Sequence, residues 1–139
     1  MARGYEHKPW IYQGAEFTEA PKGIEGFVYL MTEVDTGLKY IGKKSFWSYR
    51  KQDVNGRIKQ IKVESDWKKY YSSNLDIMAK VKGGNGARFT REILHLAKTK
   101  GTATYLEARE IFDRRALEDP ESWYNGFVEI RVNRGHLKF

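Results

Sequence analysis

Cysteine is absent from the 139 residues, which excludes disulfides, thiolate nucleophiles and cysteine-rich zinc modules together. Histidine occurs only as His7, His95 and His136, without the paired spacing of a zinc site, so any metal here is expected to be a hard cation held by carboxylate oxygen. No run of about 18 apolar residues occurs, and the start, MARGYEHKPWIYQG, lacks the apolar centre of a secretory signal. These absences predict a cytosolic protein with no membrane association. Neither a zinc finger, a helix-turn-helix signature, an internal repeat nor a long linker is recognisable. What is present, 40% hydrophobic and 14% aromatic residues, suffices for one compact core.

The charge is concentrated. Between residues 39 and 70 lie ten cations against three anions, an excess equal to the +7 of the whole chain. Trp47, Tyr49, Trp67, Tyr70 and Tyr71 are interleaved with them. A cationic run is usually just a solvated face, but cations alternating with flat rings offer both phosphate neutralisation and stacking, so a nucleic acid is the favoured partner.

The pattern of residues predicts an α+β domain. Residues 1–22, with Pro9, Gly14, Pro21 and the isolated rings Trp10, Tyr12 and Phe17, read as an N-terminal arm packed on a body of residues 23–139. Residues 26–33 and 39–44 read as a hairpin reversed at Asp35-Thr36-Gly37. Asn55-Gly56 marks a second hairpin or basic loop anchored by Ile58, Ile61 and Val63. Helices are expected at 74–82, between Ser72-Ser73 and Gly83-Gly84, and at 102–117, with a third strand over 88–97 and a last one over 127–132 after a turn at Asn125-Gly126. In the first hairpin, the two-residue period brings Tyr29 and Tyr40 onto one face, with Lys43 and Lys44 near enough to lower a phenol's pKa.

FVY at 27–29, ten further residues and YIG at 40–42 resemble the paired signature of the GIY-YIG nuclease superfamily. The order that follows strengthens the resemblance: Lys43 after the glycine, Arg50 eight residues beyond it, YYSSN before a helix, YLEAREIF in the long helix and WYN near the end. Over about residues 24–126 this set is similar to the small freestanding Seg homing endonucleases of T4-like phages, in their SegE-like branch. The resemblance implies a small three-stranded antiparallel sheet flanked by helices, here with a basic insertion at about 50–66, and a DNA endonuclease using Mg²⁺ or Mn²⁺ and no small-molecule cofactor. It implies Tyr40, assisted by Lys43, as the base for the attacking water and Tyr29 as its partner, or the reverse. Arg50, with Arg57 as competitor, would grip the scissile phosphate, Tyr71 would lie near the leaving group, Glu107 would be the one metal ligand and Asn125 would close the site. Lys44, Lys51, Arg57, Lys59, Lys62, Lys68 and Lys69 are the candidate contacts to duplex DNA. The setting implied is the cytoplasm of a bacterial or phage-infected cell. One site cuts one strand, so a double-strand break needs a transient dimer on DNA or a second turnover.

Such a set can hydrolyse a phosphodiester in principle. Activated water, a cation on the nonbridging oxygens and relief for the leaving oxygen are the three requirements, and tyrosine, arginine and a carboxylate-bound metal supply them. Taken singly, Glu107 reads as an exposed helix carboxylate paired with Arg109 or Arg114. Asn125 likewise reads as a turn residue, and Tyr71 as a core ring.

Overall fold

The computed structural model describes residues 8–139. Strand β3, Gly26–Glu33, carries Phe27, Tyr29 and Met31 on one face and Val28 and Leu30 on the other, so it can bury both faces and sits inside the sheet. After the turn at Asp35-Thr36-Gly37, where Gly37 takes φ +77°, strand β4, Lys39–Ser45, returns antiparallel and forms one edge. The strand read over 88–97 is Phe89–Ala97 and lies antiparallel on the other side of β3, with Leu94 bulged opposite Val28–Tyr29.

Five strands make the sheet, rather than the three expected, and it is mixed rather than antiparallel. Trp10–Tyr12 (β1) and Ala15–Phe17 (β2) continue it beyond Phe89–Ala97, β1 running parallel to that strand. Three-residue strands are too short to leave a period, so only their rings were visible in the sequence. Residues 1–7 of the expected arm, His7 among them, lie outside the described residues.

Ribbon strands β5, Trp47–Val54, and β6, Arg57–Glu64, form a separate two-stranded sheet closed by a two-residue turn, Asn55 and Gly56 both at positive φ. At its base, Ser65 N donates to Phe46 O and Ser65 Oγ to Ser45 O. Of the expected anchors, Ile58 is 67% exposed and Ile61 and Val63 are only half-buried, because among the described residues no second layer covers the ribbon.

The Phe89–Ala97 strand is hereafter β7. Helix α1 is Leu75–Lys80, shorter than the expected 74–82, because Asn74 serves as its N-cap, accepting from Asp76 N and Ile77 N, and the turns after Lys80 widen until Gly84 breaks them. Helix α2, Lys100–Asp113, starts two residues early on a Thr99 cap and stops four residues before Leu117, with Arg115 at φ +54° beyond its end. It lays Leu106 and Ile111 on Val28 and Ile41. The opposite sheet face holds the larger core of Trp10, Phe27, Tyr29, Phe46, Trp67 and Ile77. The strand expected over 127–132 does not form: β4's outer edge is met by Trp123 and by the Asn125 side chain, and Phe127 and Ile130 remain exposed. Among the described residues no helix is long and apolar enough to cross a membrane.

Candidate active site

Pairing of Tyr29 with Gly42 and Met31 with Tyr40 puts both tyrosines on one face of the β3–β4 hairpin, ring centroids 6.2 Å apart. A Cβ at position 42 would collide with the Tyr29 phenol, so a glycine is required for that ring to cross β4. Tyr29 is fully buried, and among the described residues its Oη has no hydrogen bond of ordinary geometry, with the Tyr70 and Ser72 hydroxyls as polar neighbours. Burial, then the nearby Tyr70 and Tyr40 phenols, push its pKa well above the usual phenol value. Tyr40 is also raised, first by burial and further by Glu107, against a lowering hydrogen bond from Ser73.

The expected lowering by lysine is therefore reversed. Lys43 Nζ donates to Thr104 Oγ1 at 2.7 Å, and its charge acts on Glu107. Lys44 pairs with Asp66 at 2.6 Å and lies 4.2 Å above the Tyr70 ring.

A cleft of about 530 Å³ opens beside the outer edge of β4, between α2, the start of α1 and the chain after Tyr124. Tyr40, Lys43, Ser73, Glu107 and Asn125 line it. Glu107 is half-buried, its carboxyl pKa raised by burial and partly restored by Lys43. Among the described residues it forms no ion pair, whereas Glu110, on the same helix, is taken by His95 at 2.7 Å and Arg114 at 2.8 Å. The neighbours expected to neutralise Glu107 are thus engaged elsewhere, Arg109 over the Tyr105 ring.

Asn125 is buried. Its Oδ1 accepts from Ile41 N and its Nδ2 donates to Ile41 O, both at 2.9 Å, so one side-chain amide replaces a neighbouring strand on the edge of β4. It is no turn residue, and it holds the cleft wall. Among the described residues no group of three histidines or carboxylates gathers as a metal cage. The oxygen donors that line the cleft, the carboxylates of Asp76, Glu107 and Glu129 among them, are of the kind that could hold a hard cation keeping most of its ligands as water.

Other expected residues do not meet there. Arg50 is exposed on β5 opposite Ile61, and Arg57 sits at the ribbon tip opposite Val54; neither lines the cleft. Lys51, Lys59 and Lys62 stand exposed on the same ribbon, and Lys68 and Lys69 are exposed just after it. Tyr71 is a core ring with the Arg91 guanidinium 4.4 Å above it, and its hydroxyl accepts from Lys8 N. Tyr70, the other letter of the doublet, faces the site instead, 6.1 Å from Tyr29. An extended segment turns successive side chains to opposite sides, so the doublet had to be split, and nothing in the letters says which way.

A family model described as "Putative endonuclease segE, GIY-YIG domain" matches residues 10–128. No curated protein and no solved structure matches.

Proposed function

The chain belongs to the GIY-YIG family of putative segE endonuclease domains, and on that premise we propose that it is a metal-dependent DNA endonuclease whose active site is the cleft beside β4. The observation that carries this reading is the meeting of Tyr40, Lys43, Glu107 and Asn125, from distant parts of the chain, on one surface large enough for a sugar-phosphate unit.

In this reading Lys43, steadied by Thr104, offsets the charge of the entering phosphate. Asn125 keeps Ile41, and with it Tyr40, in register at the cleft edge. Tyr40, ionised to the phenolate, orients the attacking water and takes its proton to become the phenol again; Ser73, hydrogen-bonded to its oxygen, favours the phenolate, while burial and the Glu107 charge oppose it. Mg²⁺ or Mn²⁺ held by Glu107 would supply the positive charge that offsets this carboxylate beside Tyr40 and stabilises the phosphoryl oxygens. Tyr29 lies behind Tyr40 rather than in the cleft and supports it through the hydroxyl cluster. Among the described residues no arginine expected at the phosphate lines the cleft, and the cation that does is Lys43.

The raised phenol and the missing guanidinium favour one alternative, a DNA-binding GIY-YIG domain that does not cut. Nicking of supercoiled plasmid separates the two. The endonuclease reading expects open circles only with Mg²⁺ or Mn²⁺, and a loss of roughly a hundredfold or more in Tyr40→Phe and Glu107→Ala with unchanged circular dichroism. Cutting retained in Glu107→Ala would overturn it; a mobility shift without cutting by the wild type would select the alternative.

A further inference from the structure

Arg50, expected at the scissile phosphate, stands on the ribbon instead, and the register of that ribbon gives it different company. Residues paired across two strands share a face. One face carries Trp47, Tyr49, Lys51 and Asp53 opposite Glu64, Lys62, Gln60 and Ile58. It is tied to the body at its base: Trp47 Nε1 donates to Ile24 O, Tyr49 Oη to Glu25 Oε1, and Glu64 accepts from Trp67 Nε1. Its lysines are matched by Asp53 and Glu64.

The other face turns away from those ties. Arg50, Gln52, Arg57 and Lys59 stand exposed on it, separated by Val54, Ile61 and Val63, without a single anion. Among the described residues none of the four side chains has a hydrogen bond or ion pair of its own. Three cations and an amide thus stand exposed without an intramolecular partner among the described residues, beside apolar residues that are only half-buried.

We propose that this outward face of the β5–β6 ribbon reads base edges in the major groove of duplex DNA, on one side of the cut. The partner rests on the nuclease reading above. A two-stranded ribbon fits the major groove, about 12 Å wide, where all four base pairs present distinct edges, whereas the minor groove of about 6 Å shows a degenerate pattern. The four side chains are the ones with the right chemistry: a guanidinium or ammonium bridges guanine O6 and N7, and a glutamine pairs with adenine N6 and N7. From Arg50 to the Asn55-Gly56 turn the arm is about 17 Å long, enough for roughly five base pairs. The ribbon leaves the body straight after β4, so the bases it reads lie to one side of the bond in the cleft.

The test is selection of bound duplexes from a randomised pool at fixed salt, read by sequencing, for the wild type and for single alanine variants. Arg50→Ala, Gln52→Ala and Arg57→Ala are each expected to erase preference at one or two adjacent base pairs, by roughly 5- to 150-fold, with the same melting temperature as the wild type. Lys51→Ala and Lys62→Ala, on the other face, are expected to weaken all sequences alike. A wild type without base preference, or preference that survives in the three outward variants, or is lost in Lys51→Ala or Lys62→Ala, overturns the proposal. Binding selection needs no cleavage, so a protein that cut nothing would remove the nuclease reading and leave this test standing.

Discussion

Glu33 is fully buried at the end of β3 and holds partners from four other parts of the chain. Tyr124 Oη donates to it at 2.6 Å, Thr36 Oγ1 at 2.8 Å and Lys80 Nζ at 2.9 Å, while Arg88 Nη2 lies 2.9 Å away. Burial opposes its charge, but the hydrogen bonds from Tyr124, Lys80 and Thr36 prevail and bring its pKa down from 4.5 to about 2. A carboxylate depressed by that much stabilises the folded state by about 3 kcal/mol. Because the folded pKa lies below the unfolded one, this contribution is complete above about pH 5 and disappears as pH falls from 4.5 towards 2. Lys80 ends α1 and Tyr124 precedes Asn125, so one ion fastens both walls of the cleft. Glu33→Gln leaves Lys80 and Arg88 without their buried anion; we expect it to cost about 3–5 kcal/mol at pH 7, a melting shift of roughly 10 °C or more. Melts by circular dichroism between pH 7 and pH 3 provide the check: the wild-type and Glu33→Gln curves should converge as the solution is acidified. Curves that stay parallel would mean that the charge of Glu33 does not carry the stability, and the reasoning would fail.

Gly42→Ala places a methyl group against the Tyr29 and Tyr40 rings; the overpacking should lower stability by about 1–3 kcal/mol and the nicking rate with it, read by melting and plasmid relaxation together. Tyr70→Phe and Tyr71→Phe should separate cleanly. Loss of the Tyr70 hydroxyl, which neighbours both signature phenols, should slow nicking with little change in the melt, whereas loss of the Tyr71 hydroxyl, bonded to Lys8 N, should lower the melt by about 1 kcal/mol and spare the rate.

What the sequence displayed best was local. The β3–β4 hairpin announced itself by rings and β-branched residues around Asp-Thr-Gly, and the ribbon by Asn55-Gly56, because strand period and turn chemistry are written in neighbouring letters. Asn125 was found only by resemblance, since its bonds to Ile41 span 84 positions and no local pattern encodes a side chain that stands in for a strand. Glu33 and Arg91 were missed for the same reason. Arg91 is 2% exposed, its pKa lowered to about 10 by burial, and it donates to the carbonyls of Lys8, Lys68 and Tyr70. A buried arginine on carbonyl oxygens looks, in the letters, like any cation of a basic protein.

The resemblance put Arg50, eight residues beyond Gly42, at the very start of the expected insertion of about 50–66, where the chain would still lie beside the cleft. It does not. At Phe46 the chain departs into the ribbon, and it is stapled back at Ser65, so residues 47–64 form a closed excursion whose length has no bearing on the site. Spacing becomes informative again only once the backbone has returned, in the stretch from Trp67 to Asp76, where Tyr70 and Ser72 neighbour the two phenols and Ser73, Asn74, Leu75 and Asp76 line the cleft. A closed ribbon of this kind can lengthen or shorten without moving Tyr40 or Glu107, because neither end of it shifts. On the readings proposed above, recognition on the ribbon would therefore vary independently of chemistry in the cleft, and loss of Arg50 would leave Lys43 in place at the cleft.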